Sequence, residues 1–128
     1  MFKLAVPILG VSKSEQAEAF YCGKLGFRRK FAYRPAPERA DPCYMGIVRD
    51  AAHLVISSFV PDGPPGTRTV QIFVEDVAAL RDELIRAGVN SVSEIVHQEW
   101  SNLEMGLADP DGNRIGFSQV KSDLPNSR

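Results

Sequence analysis

The first half of the chain alternates apolar strand-like runs with one amphipathic segment. An apolar run over residues 5–11 predicts a buried strand. Ser12 and Glu15 have the spacing of a capping box, so we expect a helix to begin at Ser12. Gly26 is a residue type that commonly ends a helix in the left-handed conformation. Three further strands are predicted over residues 27–33, 44–48 and 53–58, with an irregular, proline-containing stretch over 34–42.

The second half repeats this order of elements. A strand is predicted over residues 69–74, and Asp76 follows it as a natural helix N-cap. Val77, Leu80 and Leu84 recur at helical spacing, and Gly88 ends the helix as Gly26 does in the first half. The last three predicted strands cover residues 92–100, 103–108 and 114–119, and the turn sequence Asp109–Asn113 separates the final two.

Both halves therefore read strand, helix, strand, strand, strand, and short stretches match between them. Residues 44–47 (Tyr-Met-Gly-Ile) correspond to residues 104–107 (Glu-Met-Gly-Leu). The sequence predicts an α+β fold of two βαβββ modules in tandem, with a concave cleft that is the expected ligand site. We expect a single domain over residues 1–121, with modules at about 2–59 and 68–120, a linker at 60–67 and a flexible tail at 122–128.

Composition and charge exclude several classes of protein. The chain has 128 residues, of which 44% are hydrophobic and 24% charged, as in ordinary globular domains. Its net charge of −1 lacks the basic excess of a general nucleic-acid binder. No apolar run approaches the roughly 20 residues of a membrane-spanning helix. Cys22 and Cys43 are too few for a disulfide framework, so we expect free thiols in a cytoplasmic protein.

The repeated pattern resembles a known superfamily, the vicinal oxygen chelate proteins, which include glyoxalase I, extradiol dioxygenases and bleomycin-resistance proteins. The resemblance spans about residues 2–120. It is carried by Ala19-Phe20-Tyr21 followed by Leu25-Gly26-Phe27, and by the Asp109–Asn113 turn before the last strand. The opening strand over residues 5–9 and the Glu99-Trp100 pair look most like the bleomycin-resistance proteins.

The resemblance implies a divalent metal in the enzymes of the superfamily, but the ligand positions are not kept here. Those positions fall at Val6, Ile56, Thr69 and Gly116, where no side chain suits a metal. A shift of one residue in this alignment does not restore the set. We therefore expect no metal and no other cofactor, although a site that combines His53 and His97 with Glu99 or Glu104 stays open.

Without a metal, we expect aromatic and polar side chains to hold the ligand. Aromatic walls stack on planar ligands, and Tyr and Trp also supply hydrogen-bond donors. The candidates are Phe31, Tyr33, Tyr44, His97, Trp100 and Glu104.

Two further features bear on the ligand and on assembly. The second strand is basic, and if Arg29 shares a face with Phe31 and Tyr33, the pocket prefers an anionic or neutral ligand.

Pro7 lies early in the first strand, where proteins of the resembling group exchange that strand with a partner. We therefore expect a homodimer with exchange at Pro7.

These observations favour a bleomycin-resistance-like protein that sequesters a partly aromatic small molecule, such as an antibiotic, in a cleft at a dimer interface. A lyase, isomerase or dioxygenase of the same superfamily is the alternative, because these chemistries share one scaffold. Its activity would need a metal or an acid–base pair, for instance His97 with Glu104. A third possibility is an interaction domain whose cleft binds no small molecule.

Overall fold

The computed structural model describes residues 1–97 and 102–120 and divides the chain into two compact units. The first unit comprises Met1–Arg68 and Asp109–Asn113, and the second comprises the remainder. Each contains one four-stranded sheet and one helix, so the predicted α+β fold of two βαβββ modules is confirmed.

The first sheet has the strand order β1-β4-β3-β2. Strand β1 pairs in parallel with β4, and the other neighbours are antiparallel. The elements of this unit are β1 (Ile8–Gly10), α1 (Ser14–Tyr21), β2 (Arg28–Tyr33), β3 (Tyr44–Arg49) and β4 (Ala52–Ser57).

The second sheet repeats this topology with the order β5-β8-β7-β6. Strand β5 pairs in parallel with β8. The 3-10 turn Val60–Asp62 lies in the predicted linker. The remaining elements are β5 (Thr69–Phe73), α2 (Val77–Arg86), β6 (Val96–His97), β7 (Asn102–Ala108) and β8 (Arg114–Val120).

Each helix covers one face of its own sheet. In the first unit, Leu9, Met45, Ile47, Leu54 and Ile56 alternate onto the same face and are buried. Helix α1 contributes Ala17, Phe20 and Tyr21 to this core. In the second unit, α2 buries Val77 and Leu84, and β7 and β8 bury the apolar residues Met105, Leu107, Ile115 and Phe117.

The start of α2 agrees with the sequence pattern, whereas the start of α1 does not. Asp76 caps α2 by accepting a hydrogen bond from the Ala79 N–H at 3.0 Å. Helix α1 begins at Ser14, not at Ser12, and the expected capping box does not form. Instead, the Ser12 hydroxyl donates to Asp111 at 2.7 Å, and Asp41 accepts the Ser14 N–H at 3.0 Å.

Asp41 ties the irregular stretch before β3 to the start of α1. Its carboxylate also accepts the Ser58 hydroxyl at 2.6 Å. Partial burial alone would raise the pKa of Asp41, but the hydrogen bonds from Ser58 and Ser14 outweigh this effect and hold the pKa below its usual value. The carboxylate form is thus the one that the fold stabilises.

We expect Asp41→Asn to weaken the fold at neutral pH by about 1 kcal/mol, as for the loss of a helix cap. A depressed native pKa stabilises the protein above the unfolded-state pKa of aspartate, and this contribution disappears as the pH falls through the native pKa. The difference between wild type and variant should therefore shrink in acid. Urea unfolding at pH 7 and in acid measures it, with the exposed Glu38→Gln in the same stretch as control. An equal difference at both pH values would contradict this role.

Candidate functional site

The face of the first sheet opposite α1 carries two exposed aromatic residues, Phe31 and Tyr33. Cross-strand pairing sets Phe31 beside Gly46 and Tyr33 beside Tyr44, so all three predicted aromatic candidates of this unit share that face. Phe31 and Tyr33 are 46% and 57% exposed, which is unusual for large aromatic side chains in strands. The structure therefore brings together Phe31, Tyr33 and Tyr44.

The rings on this face form two stacked pairs. Phe31 and Tyr44 have ring centroids 6.2 Å apart and an interplanar angle of 23°. Tyr33 stacks on Phe59 at 6.2 Å and 5°. Phe59 was not predicted, because it lies in the connection that follows β4 and carries no strand pattern. We call Phe31, Tyr33, Tyr44 and Phe59 the aromatic face.

Gly46 allows the Phe31 ring to lie flat across β3. A Cβ at this position would lie 2.8 Å from Phe31 Cζ, which is too close for an undisturbed ring. The glycine of the repeated Met-Gly motif thus has a local function in the first unit: it leaves room for an aromatic surface above the strand.

An open cavity of about 330 Å³ adjoins the aromatic face at Phe59. Its volume lies at the lower end of the range for small-molecule sites. The lining is mostly apolar and comes from the end of β1, the end of β4 and the connection after it: Val11, Ser12, Ser58, Phe59, Val60, Gly63, Pro64 and Pro65.

A β-bulge in β2 decides which basic residues reach this face. The register shifts between Arg29 and Phe31, so Lys30 is an extra residue in the strand. Arg29 pairs with Ile47 and turns to the helix side, where it makes a 3.4 Å ion pair with Glu18. The expected sharing of one face by Arg29, Phe31 and Tyr33 is therefore wrong. Phe27, just before β2, is buried and packs against Tyr21.

Arg28 takes the place that the regular pattern gave to Arg29. It pairs with Val48, and Val48 pairs with His53 across the next strand, so Arg28 and His53 lie on the aromatic side of the sheet. Arg28 and His53 thus place nitrogen-bearing side chains at one end of a surface that is otherwise aromatic.

The second unit carries a polar group on the face of its sheet opposite the buried core. Ser118 donates to the Glu104 carboxylate at 3.0 Å, and the Gln71 amide donates to Ser118. The Gln71 side chain lies over Gly116 and fills the space that a side chain there would occupy. Glu104 was predicted from the sequence. Gln71 and Ser118 were not, because single polar residues in a strand give no distinctive signal.

Of the other predicted site residues, His97 is described and Trp100 is not. His97 pairs with Leu103 while Val96 pairs with Glu104, so His97 and Glu104 point to opposite faces of the second sheet. The expected acid–base pair of His97 with Glu104 is not formed. Trp100 and Glu99 lie outside the described residues, and a role for Trp100 in binding stays a prediction.

The residues at the superfamily's metal positions do not fit a metal. Thr69 and Gly116 offer no suitable donor, and Ile56 is buried on the helix side of its sheet. Within residues 1–97 and 102–120, no three His, Cys, Asp or Glu side chains come together as a ligand set. We therefore derive no catalytic step through a metal.

The two cysteines carry no sign of an activated thiolate. Both are free; Cys43 is buried and Cys22 is half-buried. Burial raises the pKa of each thiol, which favours the neutral form.

Two βαβββ modules, each with a sheet covered by a helix on one side, define a class of α+β proteins that bind small molecules or act on them. The chain belongs to the Glyoxalase/Bleomycin resistance protein/Dioxygenase superfamily, whose family model matches residues 3–117. The comparison with curated proteins finds no match.

Solved structures of this fold include binding proteins and an enzyme-related protein. TnmS3, an antibiotic binding protein from Streptomyces sp. CB03234, is 26% identical with a TM-score of 0.74, and the match covers 94% of this chain and 98% of that one. The bleomycin-binding protein of Streptomyces verticillus, complexed with copper(II)-bleomycin, is 24% identical with a TM-score of 0.72 and coverage of 93% and 97%. A glyoxalase-related enzyme from Clostridium phytofermentans is 16% identical with a TM-score of 0.78 and coverage of 94% and 96%.

The described residues contain no helix that is long and apolar enough to cross a membrane.

Proposed function

We propose that this protein binds and sequesters a partly aromatic small molecule, without a metal, in a cleft at a homodimer interface. The aromatic face carries the proposal: it contains two stacked ring pairs, and one ring of each pair, Phe31 and Tyr33, remains exposed to solvent. Such a surface gains free energy when a planar ligand covers it. The likeness to TnmS3, an antibiotic binding protein, supports an antibiotic as the ligand.

A direct titration tests this function. The protein is titrated with metal-free bleomycin and with the neutral aromatic probe 2-naphthamide, and heat release and the fluorescence of Trp100, the single tryptophan, are followed. Saturable binding of either compound near one per chain supports a sequestering protein. If neither binds up to millimolar concentration, the proposal is wrong.

The polar group of the second unit favours one alternative, an enzyme of the same superfamily. The Glu104 carboxylate, held by Ser118, is a candidate general base. Mass spectrometry of the ligand after incubation separates the two functions. Unchanged ligand supports sequestration, whereas a product that no longer forms with Glu104→Gln supports catalysis.

The homodimer is proposed on the basis of the N-terminal segment. Residues 1–6 are exposed and carry the apolar side chains of Met1, Phe2, Leu4 and Val6, while strand β1 begins only after Pro7. Exchange of this segment with a second copy would bury those side chains.

We expect the chain to sediment at about twice its 14.1 kDa mass. The double variant Phe2→Ser, Leu4→Ser should shift the protein towards monomer, because it removes the apolar side chains that a partner would cover. Sedimentation over a range of concentrations measures the shift. Val60→Ser, which alters an equally exposed apolar residue in the linker, is the control. A monomeric wild type, or an equal effect of both variants, would argue against this assembly.

A further inference from the structure

The aromatic face has charge at one end. Along β3, the pairs Tyr33–Tyr44, Phe31–Gly46 and Arg28–Val48 succeed one another on the same side of the sheet, two residues apart. Each step is about 7 Å in a strand. The basic residue Arg28 therefore leaves the strand one step beyond Phe31, on the same side of the sheet.

The Arg28 guanidinium has no partner among the described residues. Two neighbouring arginines are engaged elsewhere: Arg29 pairs with Glu18, and Arg49 donates to the Leu25 carbonyl at 2.9 Å. His53 lies on the same side of the sheet but one strand beyond Val48, so its backbone is about 10 Å from that of Arg28. No described hydrogen bond or ion pair competes with a ligand for either side chain.

A carboxylate that is hydrogen-bonded to this face lies at its other end. Asp62 accepts the Ser57 hydroxyl at 2.7 Å, and Ser57 pairs with Tyr44. Tyr44 and Val48 are four residues apart, so the two ends of the face are separated by about 13 Å. A ligand stacked on Phe31 therefore has Arg28 on one side and Asp62 beyond Tyr44 on the other. Asp50, in the turn after β3, lies 3.9 Å from Arg49, which makes an ion pair with it.

We infer that the ligand is a planar aromatic molecule that carries an anionic group, such as a carboxylate or sulfonate. This group lies on the side of Arg28, one strand step (about 7 Å) from the position of Phe31. Arg28 binds that group. This inference rests on the proposed function and specifies its ligand class. It also predicts that bleomycin, which is cationic, binds less well than an aromatic anion.

Three probes that share one naphthalene ring and carry an anionic, a neutral or a cationic substituent test the inference. They are 2-naphthoate, 2-naphthamide and 2-naphthylmethylammonium, titrated calorimetrically against the same protein. We expect the anion to bind about fivefold tighter than the neutral amide, the range for a partly exposed ion pair. The cation should bind most weakly, and added salt should reduce the preference.

Variants of strand β2 assign the preference to Arg28. Arg28→Gln should bring naphthoate down to the affinity of naphthamide without changing naphthamide itself, and Arg28→Lys should restore most of the preference. Lys30→Gln removes the same charge from the bulge two residues away and should leave all affinities unchanged. Both positions are exposed, so both variants are expected to fold.

The failures of the two proposals are distinguishable. If naphthamide binds and naphthoate has no advantage, or Lys30→Gln acts like Arg28→Gln, the anionic ligand class is wrong and the binding function stands. If neither bleomycin nor any of the three probes binds, this surface is not an aromatic ligand site, and both proposals fail; if bleomycin binds and none of the probes does, only the anionic ligand class is wrong.

Discussion

Replacement of Asp109 by alanine is expected to lower the free energy of unfolding by about 3–5 kcal/mol. The carboxylate is buried and accepts five hydrogen bonds. One oxygen takes the backbone N–H groups of Asp111, Gly112 and Asn113, each at 2.9 Å. The other takes the Tyr21 hydroxyl at 2.7 Å and the Asn113 amide at 2.8 Å.

The effect is large because the alanine variant leaves buried donors without a partner. Burial, together with the nearby Asp109 carboxylate, raises the pKa of Tyr21, so its hydroxyl is a donor throughout the accessible pH range. The Asn113 amide also donates to the Gly10 carbonyl at 2.8 Å and so ties the turn to β1. The loss approaches the whole stability of many small domains.

Two variants calibrate this measurement in chemical denaturation. Asp111→Ala removes a carboxylate from the same turn, where it accepts the Ser12 N–H and hydroxyl, and should cost about 1 kcal/mol. Tyr21→Phe removes one hydrogen bond and keeps the ring, so its cost should lie between the two. If Asp109→Ala costs no more than Asp111→Ala, the buried network is not a main support of the fold.

The same turn shows what local sequence can and cannot predict. Its Pro, Gly and Asn residues mark a turn directly, because these residue types favour the required backbone angles. The hydroxyl that completes it belongs to Tyr21, 88 positions away. The prediction of where α1 begins was wrong for the same reason. The Ser14 N–H is bound by Asp41, a partner 27 residues distant that no local pattern reveals.

Alternation along strands predicted part of the candidate site and misassigned part of it. Tyr33 and Phe31 are two residues apart in regular strand, so their common face followed from the pattern. Because Lys30 is an extra residue in β2, every side chain before it points to the opposite face from the one that regular alternation predicts. Arg28 therefore lies on the aromatic side, where Arg29 was expected. A run of three basic residues gives no signal of where such a bulge lies.

Truncation of Phe31 is expected to have the largest effect on ligand binding. Phe31→Ala should weaken 2-naphthamide binding about tenfold or more, because the ring stacks on Tyr44 and offers its exposed face to the ligand. The neutral probe isolates stacking from charge. Since Phe31 is 46% exposed, the fold should lose little stability, which thermal unfolding of the same sample checks.

A second variant, Gly46→Ala, tests whether binding depends on where the Phe31 ring lies. Gly46→Ala keeps Phe31 but places a methyl group against its edge, which must move the ring away from Tyr44. We expect an affinity between those of wild type and Phe31→Ala. Ile85→Ala, which truncates an exposed apolar residue on α2, should leave binding unchanged. Undiminished affinity in both Phe31→Ala and Gly46→Ala would mean that the ligand binds elsewhere, since no other described ring could replace Phe31 above Gly46.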